Sequence, residues 1–150
     1  MKEKGMTYIE RSIDIDAPVE RVFQYAADWQ NWTKFFKGIH DFQPTTEIIR
    51  GTGARYAYKV EMLGMKAPVE TEIQGFVENE GWTGDATKGM KHRTHWVFER
   101  MGNKTRFTYG LSYKLPVPIV GGILDNLIMK PAWEKIIEDS LENLKNLTEH

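Results

Sequence analysis

The sequence contains no cysteine, which excludes disulfides, thiolate nucleophiles and cysteine-ligated metals. It has no excess of either charge: 20 Lys and Arg face 21 Asp and Glu, for a net charge of −1, and no block of like sign stands out. Phosphate binding needs a basic face, so nucleic acid is not expected as a partner. Long apolar runs are also missing. The longest, "LPVPIVGGILDNLIM" at 115–129, contains Asp125 and falls short of the roughly 20 residues of a membrane span. The opening "MKEKGMTYIE" is charged and lacks the apolar centre of a signal peptide. The expected location is the cytoplasm, with no stable membrane insertion. Repeats, low-complexity tracts and linkers are absent too. At 150 residues the chain reads as a single domain, 1–150, able to bury roughly 70% of its unfolded surface without staples.

Catalytic and metal signatures are equally scarce. His92 and His95 are the only close histidine pair. On a strand, residues three apart point to opposite faces, so these two cannot share an ion; no metal and no cofactor are expected. There is no G-x-S-x-G, and Ser12, Ser112 and Ser140 lack a His-plus-acid context. The glycines at 51–53 lead into a strand and not into a helix, so they read as a hairpin turn and not as a phosphate loop.

What is present is a strong order of elements. Tyr8–Ile15 alternates with Ile9, Ile13 and Ile15 on one face. Pro18 suits a helix's first turn, with Asp16 or Ala17 expected as N-cap. Val19, Val22, Phe23 and Ala26 then form a helical stripe. A second short helix over 28–36 gathers Trp29, Trp32, Phe35 and Phe36. From Ile39 onward, turn residues at 50–53, 63–65, 79–81, 87–89 and 101–103 cut out six strands at about 39–49, 54–62, 66–78, 81–86, 90–100 and 104–115. Short loops between them imply an antiparallel meander. Finally Leu124, Leu127, Ile128, Ile137, Leu141, Leu144 and Leu147 keep a helical stripe over about seven turns, with Pro131 predicting a kink or a break near Lys130.

Alternation also assigns strand faces. Arg55, Lys59 and Glu61 go outside, leaving Tyr56, Tyr58, Val60 and Met62 inward. Lys66, Glu70 and Glu72 go outside, leaving Ala67, Val69, Thr71 and Ile73 inward. Trp82, Gly84 and Ala86 share a face, as do Met90, His92, Thr94, Trp96 and Phe98, and then Phe107, Tyr109, Leu111, Tyr113 and Leu115. This interior mixes small residues with aromatics carrying polar tips. Buried tyrosine and tryptophan tips normally find partners, and water or an amphipathic ligand in a cavity would supply them.

The phrases "IDIDAPVERVFQYAADWQNWTKF", "TRFTYGLSYKLP" and "GGILDNLI…IIEDSLENLKNL", together with this order, resemble the polyketide cyclase/dehydrase and lipid transport family of the START/Bet v 1-like superfamily. The resemblance implies an α+β helix-grip fold: a curved seven-stranded antiparallel sheet wrapped around a long C-terminal helix, with two short helices between strands 1 and 2. It implies that Trp29 and Trp32 plug one end of the grip. It further implies a hydrophobic small-molecule partner in a cavity between sheet and helix, with Tyr56, Tyr58, Val69, Trp82, His92, Trp96, Tyr109, Tyr113, Leu124 and Ile128 as its expected lining. Three functions stay open: a lipid, isoprenoid/quinone or polyketide-like carrier; a cyclase or dehydratase with His92 as a weak catalytic candidate; and a protein-interaction module. Residues 116–124 read as an apolar gate, a surface making transient membrane or subunit contact, or a buried connector. The chain is expected as monomer or homodimer.

Overall fold

The computed structural model describes residues 6–114 and 128–150. Strand β1 (Thr7–Ile15) leads into helix α1 (Val19–Ala27), a 3₁₀ turn (Trp29–Asn31) and the short helix α2 (Trp32–Phe35). Six strands follow: β2 (Ile39–Pro44), β3 (Arg55–Met62), β4 (Met65–Val77), β5 (Gly81–Lys88), β6 (His92–Met101) and β7 (Lys104–Tyr113). Helix α3 (Lys130–Glu149) closes the chain. The seven strands form one antiparallel sheet in the order β1-β7-β6-β5-β4-β3-β2. The meander is as expected, and β1 joins its last strand from Thr7↔Tyr113 to Ile15↔Thr105. This is the α+β helix-grip architecture. None of the described helices is long and apolar enough to cross a membrane.

Helix α1 buries Val19, Val22, Phe23, Ala26 and Ala27. Its cap is Pro18, in extended conformation, and not Asp16 or Ala17. The Asp16 N–H is instead held at 2.8 Å by the Glu149 carboxylate at the far end of α3. Phe23 is fully buried and sits edge-on to Phe76, Trp82 and Phe98 at 5.1–5.6 Å between ring centres.

Helix α3 lies against β1, where Arg11 reaches across to Glu134 (2.8 Å) and Glu138 (3.1 Å), one turn apart. Its inner face carries Trp133, Ile137, Ser140, Leu141, Leu144 and Thr148. Leu147, expected on that stripe, is exposed. Eleven residues bring a helix back to nearly the same direction, so Thr148 and not Leu147 lies over Ile137. The two buried hydroxyls need no outside partner. Ser140 donates to the Ile136 carbonyl and Thr148 to that of Leu144, both at 2.7 Å, the back-bonding that such residues use inside helices. Ser140 also accepts the Lys37 N–H at 2.9 Å, and Asn143 donates to the Phe35 carbonyl at 3.1 Å, tying α3 to the end of α2. Pro131 stands in the first turn of α3, where its missing N–H costs nothing. The described helix starts at Lys130, and Leu124 and Leu127 of the expected stripe lie outside the described residues.

Three strand expectations need correcting. The strand expected over 39–49 stops at Pro44, a residue with no N–H to continue the ladder, and it is interrupted on the way, where Asp41 takes a positive φ of 54° and the register shifts between His40 and Gln43. Ala67 is exposed, since β4 there runs past the covered part of the sheet. Glu70 is locally shielded instead of exposed. It sits at a register shift and accepts hydroxyls from Thr45 (2.9 Å) and Thr87 (2.7 Å), which hold its carboxyl below the usual range.

Two glycines separate steric from conformational cost. A Cβ on Gly81 (φ +141°) would lie 1.9 Å from the Trp96 carbonyl oxygen, whereas one on Gly64 (φ +80°) would meet nothing. Gly81→Ala is expected to destabilise by more than about 3 kcal/mol, and Gly64→Ala by only about 1 kcal/mol, measured by urea unfolding. Phe23→Ala is expected to cost about 3–5 kcal/mol in the same assay; a loss under about 1 kcal/mol would show that its three ring contacts are not central to the core.

Candidate ligand cavity

Helix α3 sits towards β1 and the aromatics of α2 close one end of the sheet, which leaves a cavity of about 60 Å³ between them. That is room for about four to six waters, at roughly 10–15 Å³ each. Trp32 and Phe36 form its end wall, Ile39 and Phe42 come from β2, and Trp133 comes from α3. The sheet supplies Tyr58, Val60, Val69, Thr71, Ile73, Thr94, Trp96, Tyr109 and Leu111, with His92 at the start of β6 and Met90 just before it.

Of the ten residues expected to line the cavity, Tyr58, Val69, His92, Trp96 and Tyr109 are on its wall. Tyr56, Trp82 and Tyr113 face the same side of the sheet but are packed away from it. Tyr56 stacks on Phe42 and gives its hydroxyl proton to the Ile49 carbonyl at 2.6 Å. Trp82 is stacked against Trp96 at 4.8 Å and Phe76 at 5.6 Å. Tyr113 is fully buried beside Trp133. Ile128 is 45% exposed, just ahead of α3, and is not on the wall. Leu124 lies outside the described residues, as does the segment 116–124. Trp133 lines the cavity but was absent from the expected lining, although its place four residues before Ile137 on the same helical face was a signal for it. Trp32 serves both as plug and as wall: it stacks on Trp96 at 5.0 Å and lines the cavity, while its indole N–H donates to the Ala26 carbonyl at 2.7 Å.

The wall is mainly apolar, and three of its polar side chains form one connected group. His92, 7% exposed, has Nδ1 2.8 Å from the Met90 carbonyl and Nε2 2.9 Å from Thr71 Oγ1. Thr71 Oγ1 is in turn 2.9 Å from the Tyr58 hydroxyl. Gly84 makes this arrangement sterically feasible: a Cβ there would meet Thr94 Oγ1 at 2.7 Å and Thr71 Cγ2 at 2.8 Å. Burial lowers the His92 pKa, against the opposing pull of the Met90 carbonyl and Asp85. Burial raises that of Tyr58, partly offset by Thr71, and raises that of Tyr109 well up, with Tyr58 adding to it. The cavity is therefore neutral at physiological pH. Both ring nitrogens of His92 are engaged, and Tyr58, Thr71 and His92 all line the cavity.

Residues 6–149 match the family model described as "Polyketide cyclase / dehydrase and lipid transport". No curated protein matches the sequence. Among solved structures, a Thermus thermophilus protein is 24% identical, with a TM-score of 0.81 over 93% of this chain and 95% of its own. A START superfamily protein from Mycobacterium smegmatis is 18% identical, with a TM-score of 0.68 over 97% and 95%. The Zhui aromatase/cyclase from a Streptomyces species is 12% identical, with a TM-score of 0.77 over 96% and 94%. At these identities the structures establish a shared fold, and the family match spans nearly the whole sequence. The chain belongs to the polyketide cyclase/dehydrase and lipid transport family.

Proposed function

We propose that the protein binds a hydrophobic or amphipathic small molecule, of lipid, isoprenoid/quinone or polyketide-like chemistry, between the sheet and α3. The observation that carries this reading is a mainly apolar cavity among the described residues, with a connected polar group on its wall. Burying apolar ligand surface there contributes at about 25 cal/mol per Å², and the polar group orients what is bound. Its volume of about 60 Å³ is well below the roughly 300–1,000 Å³ of most ligand pockets. A ligand therefore enters by one ring or one chain end, or wall side chains move; Met90, unbranched and adaptable, is the easiest to displace. A protein-interaction module would be expected to have a filled interior, which makes that reading weaker.

A second reading, cyclisation or dehydration of a polyketide-like chain, draws on the Tyr58–Thr71–His92 connection. In it Tyr58 exchanges the proton with substrate and His92 acts through Thr71.

Native mass spectrometry of freshly purified protein, before and after organic extraction, tests the binding reading. A discrete added mass lost on extraction is expected; bare protein in both runs, with no uptake of added fatty acid or quinone, would overturn it. Val69→Phe places a ring in the cavity and is expected to weaken uptake at least about tenfold, with folding checked by thermal unfolding.

The neutral His92 has a stability signature. Its native pKa lies below the unfolded value of about 6.5, so below that pH the unfolded chain binds the extra proton and stability falls as pH falls. His95 is shifted in the same direction by burial, so the comparison must isolate His92. Between pH 6.5 and the lower native pKa, the His92→Gln protein is expected to lose stability less steeply than the wild type. The difference in slope approaches at most about 1.4 kcal/mol per pH unit, read from urea unfolding at several pH values. Equal slopes would show that His92 is not held neutral by its site.

A further inference from the structure

The Tyr58–Thr71–His92 connection has a direction, and the direction can be worked out from its buried end. A backbone carbonyl only accepts, so the 2.8 Å contact from His92 Nδ1 to the Met90 oxygen requires the proton on Nδ1. In the neutral ring Nε2 is then a bare lone pair, and Thr71 must donate its single hydroxyl proton to it across 2.9 Å. That leaves Thr71 Oγ1 as an acceptor for Tyr58, 2.9 Å away, and Tyr58 must direct its own proton there. Reversing either hydroxyl would set two lone pairs face to face at hydrogen-bonding distance. The Tyr58 oxygen therefore meets the cavity with a lone pair.

The remaining polar atoms of the wall have the opposite or no fixed character. Tyr109 lines the cavity and, among the described residues, its hydroxyl makes no hydrogen bond. The indole N–H of Trp133, on a side chain over nine-tenths buried, likewise has no partner among the described residues. Thr94 can turn its hydroxyl either way. The cavity thus offers one committed acceptor beside uncommitted donors.

We propose that this wall selects an apolar molecule ending in a neutral hydroxyl, which donates to the Tyr58 oxygen and accepts from Tyr109 or Trp133, over one whose polar end is a bare carbonyl. This assignment rests on the binding reading above and adds the polarity of the recognised group. Tyr58 is a binding residue; Thr71 and His92 are positioning residues that act through it.

Three probes of equal heavy-atom count separate the contributions: 4-methylphenol donates and accepts, benzaldehyde only accepts, and ethylbenzene does neither. By isothermal titration at neutral pH, the wild-type protein is expected to bind 4-methylphenol at least about tenfold more tightly than benzaldehyde. Tyr58→Phe is expected to level the two. Thr71→Val frees the Tyr58 proton to point into the cavity, so it is expected to raise benzaldehyde affinity while lowering that of the phenol, an inversion that a merely structural role for Thr71 would not produce. Benzaldehyde equal to or tighter than the phenol in the wild type would overturn the proposal and leave the binding reading standing. Failure of all three probes to bind would remove both. Without any ligand, long-range ¹⁵N–¹H NMR reads the His92 tautomer: Nδ1–H is expected, and Nε2–H would overturn the proposal.

Discussion

One helix cannot cover seven strands. A helix with its side chains is about 10–12 Å across, whereas seven strands spaced about 4.8 Å apart span roughly 29 Å. Curvature narrows the gap without closing it, and α3 lies close to β1. Everything else on the concave face answers to that shortfall. The aromatics between α1 and β2 fill one end, the Arg11 pairs with Glu134 and Glu138 fix where α3 lies, and what neither covers remains as the cavity.

The polar tips of the interior follow the same geography. At the plugged end most are paired internally: Trp32 with the Ala26 carbonyl, Tyr56 with that of Ile49. The Trp82 indole is the exception there, with no partner among the described residues. Along α3 the hydroxyls of Ser140 and Thr148 turn back onto their own helix. Around the cavity the pairing is less complete: the Trp133 indole has no partner among the described residues, and the Tyr109 hydroxyl, on the cavity wall, makes no hydrogen bond to any of them. An interior that satisfies most of its polar groups in one half and leaves more of them open in the other differs from a uniformly dry core, where an unmet donor costs about 1–3 kcal/mol.

Most of the fold was legible in the sequence because two periodicities carry it. The alternation of β3, β6 and β7 marked their inward faces, and the hairpin glycines marked the meander. Alternation fails where an extra residue enters a strand, as near Glu70, or where a backbone turns left-handed, as at Asp41. The cavity wall was harder to read for a different reason. Trp82 and Trp96 are directly paired across β5 and β6 and share a face, yet of the two Trp96 alone reaches the cavity. Alternation tells inside from outside; it does not tell how far along the sheet the plug ends. Thr71, the centre of the polar group, was read as inward but carried no further signal, since its role depends on Tyr58 and His92 arriving from two other strands.

The indole stack has an optical consequence. Trp32, Trp82 and Trp96 lie with ring centres 4.8–6.4 Å apart and planes within 23° of parallel. Transition dipoles that close and that nearly aligned exchange excitation, so the three chromophores absorb as a coupled set and add their own signed bands to the far-ultraviolet circular dichroism. Helix content deduced from that spectrum would be in error for this protein even when perfectly folded, and the same bands would follow any rearrangement of Trp96 without an added label.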